Sequence, residues 1–63
     1  MKTIRQLRLN IDKTQEQIAN EMGIRVQQYF KYEKMMQVPN VVTASKLAKS
    51  LNVTTDVIAS IYK

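Results

Sequence analysis

Apolar residues recur at three- and four-residue intervals in short runs separated by polar breaks, the pattern of short helices sharing one core. Ile4, Leu7 and Ile11 form the first stripe and predict a helix over about Lys2 to Asn10, with Asp12-Lys13 as the first connection. Thr14-Gln15-Glu16-Gln17 has the form of a capping box, in which Thr14 caps and Gln17 reaches back. It predicts a second helix over about Gln15 to Met22, with Ile18, Ala19 and Met22 inward. Gly23 follows, the residue that takes a left-handed stop without steric cost. A third helix is expected over about Val26 to Lys34. Asn40, after Pro39, is a good N-cap for a fourth, whose stripe is Val41, Ala44, Leu47, Ala48 and Leu51. Asn52-Val53 turns the chain, and Thr54 caps a fifth helix over about Thr55 to Tyr62. No strand, linker, repeat or low-complexity segment is expected. The fold class is therefore all-α, a compact five-helix domain filling residues 1–63.

Gln15 to Lys34 holds two helices of about eight residues joined by a short turn containing glycine, the outline of a helix-turn-helix. Small Ala19 lets the third helix cross close to the second, Gly23 permits the tight turn, and Ile24 plugs the corner. On a wheel of about 100° per residue, Tyr29 and Tyr32 fall on one side of the third helix. Val26, Gln27, Phe30, Lys31 and Lys34 fall on the other, with Gln28 and Glu33 on the borders. Such an outer stripe suits a DNA major groove: Gln pairs with adenine, Lys reaches guanine, and an apolar side chain meets a thymine methyl. An ordinary amphipathic helix with a solvated face has the same pattern. Phe30 tilts the reading, because an outward phenylalanine on so small a domain marks an interface.

From Ile4 to Ile58 the chain resembles the lambda-repressor-like, or Cro/C1-type, helix-turn-helix family. The resemblance runs through Leu7-Arg8, Thr14 to Ala19, Met22-Gly23-Ile24, Tyr32-Glu33, Pro39, Leu47-Ala48 and Leu51-Asn52-Val53, with QQYFKYEK as the recognition helix. It implies five helices, an operator-binding recognition helix, and a homodimer on a palindromic double-stranded DNA operator. It also implies that Gln15 contacts a phosphate and braces the recognition helix. Arg8 matches the family's arginine in the first helix. Glu33 lies on the border nearest the core, where a lone carboxylate is costly, so an Arg8–Glu33 ion pair is expected.

Three positions depart from the family pattern. Arg25 stands where the family often has a Ser or Thr N-cap, a loss worth about 1 kcal/mol. Its charge also sits at the unfavourable end of the helix dipole unless a phosphate is near, so Arg25 is a candidate DNA contact. Met35 replaces the usual glycine stop, so either the helix runs on or Met35 takes a left-handed turn. Phe30 is apolar at a position that often contacts DNA. The candidate DNA-binding residues are thus Gln15, Arg25, Val26, Gln27, Gln28, Phe30, Lys31 and Lys34.

Composition narrows the classes further. Ten Lys and Arg against five Asp and Glu give a net charge of +5, which favours a polyanion, nucleic acid before anionic lipid. Lys34, Lys46 and Lys49 are candidate backbone clamps. The chain has neither cysteine nor histidine, which removes disulfides and the usual zinc ligands. With no glycine-rich phosphate loop and no evident acidic pair, no enzyme, metal, cofactor or small-molecule substrate is expected. No apolar run approaches the ~20 residues of a membrane span, and Arg5 and Arg8 interrupt the only early apolar stretch. The expected compartment is the cytoplasm. Met22, Met35 and Met36 read as packing, whereas Val57, Ile58, Ile61 and Tyr62 exceed one helix face and offer part of a dimer contact. The leading reading is a sequence-specific transcription regulator. The alternative is a protein-interaction module, an antitoxin or antirepressor using Phe30, Met35 and Met36. A structural fragment of a larger chain is a third idea, against which Met1 and the missing linker are set.

Overall fold

A computed structural model describes residues 2–62; Met1 and Lys63, the ends of the expected domain, lie outside the described residues. The elements are α1 (Ile4–Asn10), α2 (Gln15–Met22), α3 (Val26–Glu33), α4 (Val41–Leu51) and α5 (Thr55–Ile61). Among the described residues there is no strand, and no helix is long and apolar enough to cross a membrane.

Side chains set where most of these helices begin. Thr14 and Gln17 form the predicted box: Thr14 Oγ1 accepts the Gln17 N–H at 3.1 Å, and Gln17 Oε1 accepts the Thr14 N–H at 2.8 Å. A second box, Thr3 with Gln6, starts α1 at Ile4 rather than the predicted Lys2. Asn40 and Thr54 cap α4 and α5 as expected. Helices α3 and α5 each stop one residue earlier than predicted, at Glu33 and Ile61.

The first four helices stop in the same way. A left-handed residue follows each: Asp12 (φ 54°), Gly23 (φ 73°), Met35 (φ 62°) and Asn52 (φ 63°). The next N–H then reaches back to a carbonyl in the last turn: Lys13 to Arg8 at 3.3 Å, Ile24 to Ala19 at 3.0 Å, Met36 to Lys31 at 2.8 Å, and Val53 to Ala48 at 2.9 Å. This is the Schellman arrangement, which satisfies carbonyls that helix ends otherwise leave open. A Cβ at Gly23 would meet nothing within 4 Å, so only the backbone angle asks for glycine there.

The core comprises Ile4, Leu7, Ile18, Ala19, Met22, Tyr29, Leu47, Ala48, Leu51 and Ile58. Helix α2 packs on α3 and α4, α4 on α5, and α1 on α3. The stripe predicted for α4 is corrected at its start. Val41 is 80% exposed, because core contact along α4 begins only at Ala44. Most of α5's apolar surplus is used internally. Ile58 is buried, Ile61 and Tyr62 pack against the core, and the Tyr62 hydroxyl donates to the Tyr32 carbonyl at 2.6 Å. Val57 stays partly exposed, and the larger exposed apolar surface lies at Val38, Val41 and Val42.

Met35 has a measurable consequence. A left-handed L-residue costs about 1–2 kcal/mol, partly offset by the extra unfolded-state entropy that glycine brings. Met35→Gly is expected to stabilise the domain by about 0.5–1 kcal/mol, and β-branched Met35→Val to destabilise it. Thermal melts by circular dichroism read this as a rise of several degrees for the first variant and a fall for the second; the reverse order would show that Met35 costs nothing.

Candidate nucleic-acid interface

The inner side of α3 is held by one carboxylate. Arg8 Nε donates to Glu33 Oε2 at 2.9 Å and Arg8 Nη2 to Oε1 at 3.2 Å, a two-pronged pair between buried residues of α1 and α3. The Tyr29 hydroxyl donates to Oε2 at 2.7 Å, and Gln15 Nε2, from the first residue of α2, donates to Oε1 at 3.0 Å. Arg8 Nη1 continues to the Lys13 carbonyl at 2.9 Å. Burial acts to raise the Glu33 pKa, but the hydrogen bonds from Arg8, Tyr29 and Gln15 together outweigh it and hold the carboxyl below its ordinary value. The hydrogen bond with Glu33 raises the Arg8 pKa, and burial pushes the Tyr29 hydroxyl well up. Among the described residues, no buried side-chain nitrogen or oxygen lacks a partner. The expected Arg8–Glu33 pair is therefore present, with Tyr29 and Gln15 as further donors. Tyr29's part has no signature in the sequence, where its spacing marks it simply as core.

The outer side of α3 carries the predicted stripe. Gln27, Phe30, Lys31 and Lys34 are exposed, and Arg25 is exposed just before the helix. Arg25 makes no side-chain cap, as the missing Ser or Thr implied. Val26 and Gln28 differ in degree. Val26 is half-buried against the core, and half-buried Gln28 donates from Nε2 to Gln37 Oε1 at 2.9 Å. The Lys34 ammonium lies 5.5 Å from the centre of the Phe30 ring, within cation–π range. Gln15 is half-buried beside this face. An open groove of about 440 Å³ runs between Gln15, Val26, Gln27, Phe30, Lys31 and Met36.

Not every expected contact joins this face. Lys46 and Lys49 border a separate cleft between α2 and α4, with Glu21 and Ser50. A polar cluster there escaped the sequence reading: Lys13 Nζ and Ser50 Oγ both donate to Glu21 Oε1, at 2.8 and 2.7 Å. Its members sit far apart in sequence and have no shared helical spacing. The hydrogen bonds from Lys13 and then Ser50 lower the Glu21 pKa. Glu16 borders a cleft with Arg25, Val26 and Gln27, placing a carboxylate at the edge of the interface. Among the described residues, no three His, Cys, Asp or Glu side chains are grouped so as to hold a metal ion.

This arrangement offers a helix with cations just beyond both ends of its outer face, an amide near its start, a lysine one turn further on, and apolar side chains between them. A helix-turn-helix family model matches residues 4–58. Among curated proteins, the cryptic phage CTXphi transcriptional repressor RstR of Vibrio cholerae is 46% identical over 46 residues, covering 73% of this chain and 41% of the relative. The aligned part is thus about two fifths of that relative's length. No solved structure gives a significant match.

The Glu33 cluster sets a pH and stability signature. Removing one partner of a buried pair costs about 3–5 kcal/mol, so Glu33→Ala is expected to lower the melting temperature sharply. A carboxyl whose pKa is depressed by folding contributes stability above its unfolded value of about 4.3 and loses it as pH falls through the folded value. The parent should therefore melt progressively lower below about pH 4. Glu33→Gln should start lower at neutral pH and lose less across that window. A parallel acid profile for both proteins would place the acid sensitivity elsewhere.

Proposed function

The chain belongs to the Cro/C1-type helix-turn-helix family, and from that membership we propose that it is a sequence-specific DNA-binding transcription regulator that lays α3 in a major groove. The observation that carries this reading is the division of α3. Its inner side is held through Tyr29 and Glu33, while Gln27, Phe30, Lys31 and Lys34 are exposed. A rigid helix with an unoccupied polar and cationic face is what base reading requires.

Individual roles follow from geometry. Gln27 lies near the start of α3, the end that enters the groove in this motif, and its amide suits adenine. Lys31, one turn on, suits guanine. Arg25 and Lys34 serve the phosphates. Gln15 fits the double role that the family implies. A side-chain amide has two N–H donors; one is given to Glu33, which leaves the other for a phosphate oxygen. Gln28, engaged with Gln37, acts at the border of the interface. The proposed compartment is the cytoplasm.

The protein acts as a homodimer on a palindromic site in this reading. Val38, Val41 and Val42 form an exposed apolar stretch entering α4, and Val57 is exposed in the first turn of α5. Two-fold pairing would set two copies of α3 on half-sites about one helical turn apart. A second reading, a protein-binding antitoxin or antirepressor, is favoured by the exposure of Phe30 at 42%, Met35 at 52% and Met36 at 69%.

Selection of preferred sites from a randomised duplex library separates the two. Gln27→Ala and Lys31→Ala should each lose preference at one base pair per half-site, a discrimination of about 1–3 kcal/mol. Lys34→Ala should weaken all sequences alike and flatten the salt slope by about one unit per subunit. For four to eight phosphate contacts per dimer, log K should fall against log salt with a slope of about −4 to −7. An unchanged sequence preference for both Gln27→Ala and Lys31→Ala would end the groove-reading proposal, and salt-independent binding to a protein would replace it.

Assembly is checked separately by analytical ultracentrifugation of the chain with a full palindromic duplex. The expected complex holds two chains per duplex; a single bound chain at saturation would remove the dimer.

A further inference from the structure

We propose that Met36 is an oxidation site: a peroxide converts its thioether to the sulfoxide, and the new oxygen, held by the donor groups of the groove that Met36 lines, lowers the chain's affinity for DNA. This rests on the DNA-binding reading above and adds a covalent control to it.

The sulfur inventory points to this residue. The chain has no cysteine, so methionine carries all of its sulfur chemistry. Met22 packs in the core at 2% exposure, whereas Met35 and Met36, expected to pack as well, are exposed at 52% and 69%. Place separates these two. The left-handed turn at Met35 brings Met36 back to α3, fixed by the 2.8 Å hydrogen bond from the Met36 N–H to the Lys31 carbonyl. Met36 thereby lines the open groove with Gln15, Val26, Gln27, Phe30 and Lys31, and Met35 does not.

The groove is suited to the product. A thioether is a weak acceptor, whereas an ammonium and an amide supply several N–H donors. The polar members of the groove are the Gln15 and Gln27 amides and the Lys31 ammonium, and among the described residues no carboxylate lines it. Oxidation turns a flexible apolar side chain into a polar one, placing a strong acceptor among these donors. The step needs only a peroxide. The Met36 sulfur lone pair attacks one peroxide oxygen, the S–O bond forms, and the O–O bond breaks. The departing hydroxide takes the proton of the transferred oxygen and leaves as water. Sulfur is oxidised by two electrons and the peroxide is reduced. The sulfoxide oxygen then occupies Lys31 and Gln27, the two groups assigned to the bases, and DNA must displace it to bind.

The test treats the full chain with hydrogen peroxide, maps the oxidised residues by mass spectrometry, and measures affinity for a duplex that the untreated chain selects. Met36 is expected to oxidise before Met35, with Met22 protected while the chain is folded. Affinity should fall about tenfold, the scale of one charge-assisted hydrogen bond that DNA must displace. It should return when methionine sulfoxide reductases, one for each epimer, restore the thioether. The oxidised chain should melt by circular dichroism at the temperature of the untreated one, which separates this effect from unfolding. Each variant is compared with itself before and after peroxide. Met36→Leu should keep its affinity, Met35→Leu should still lose it, and Lys31→Ala should lose less than the parent. Oxidation of Met36 with no change in affinity would overturn the proposal and leave the DNA-binding reading standing. So would a loss that persists in Met36→Leu, which would place the sensitive group elsewhere. If the untreated chain selects no duplex, the DNA-binding reading fails and this control fails with it.

Discussion

A carboxylate left alone in an apolar core is costly enough that it either takes up a proton or finds partners. Glu33 finds three: the Arg8 guanidinium, the Tyr29 hydroxyl and the Gln15 amide. They come from α1, α3 and α2, so the electrostatic demand of one side chain fixes the relative placement of three helices. Hydrophobic contact alone does not do this. Burial is nondirectional, and short helices packed by leucines and isoleucines can slide or rotate at little cost. Hydrogen bonds of 2.7 to 3.2 Å to defined oxygen atoms allow far less movement. The rotation of α3 about its axis, which decides what faces outward, is set by the same contacts.

Chain length sharpens the need for such devices. A domain of 63 residues buries a modest share of its surface, and this sequence has no cysteine to cross-link it. Local signals make up part of the difference. Two capping boxes and two further side-chain caps define four helix starts, and a shared left-handed stop ends four helices. Three of the four connections are thereby kept to three or four residues, and the longer one joins α3 to α4. The Glu21 cluster adds a second polar tie, joining the α1–α2 connection and α2 to α4.

The elements legible in the sequence were those whose cause is local. Thr14 with Gln17, Asn40 and Thr54 announced helix starts, and Gly23 announced a stop, because each acts within a few residues of itself. The Arg8–Glu33 pair was legible for a different reason: helical spacing put Glu33 at the core border, and the family resemblance supplied the arginine. What escaped depends on three-dimensional placement. Thr3 with Gln6 repeats the capping pattern but sits before a weak apolar stripe. Val41 has core-like spacing yet lies beyond the end of what α4 packs against. Glu21, Lys13 and Ser50 meet only once α2 and α4 are side by side. At the interface, spacing identified the outer stripe of α3, while the engagement of Gln28 with Gln37 and the return of Met36 to the helix required the folded loop.

The departures from local rules are not scattered. Arg25 leaves α3 without a side-chain cap, Met35 takes a left-handed angle that glycine would hold more easily, and Phe30 turns an aromatic ring outward. All three fall on α3 or at its two ends. Together the lost cap and the left-handed angle cost about 2–3 kcal/mol, a substantial part of what a domain this small can hold in reserve. The Glu33 cluster is complete without Arg25, Met35 or Phe30. Each departure does have an outward effect: a cation at the helix start, an apolar ring mid-face, and a methionine returned beside that ring. Functional or strained sites are where breaches of local consistency are expected, which accords with the role proposed for this face. Here the tightly bonded inner edge of α3 provides the stability that lets its outer face carry them.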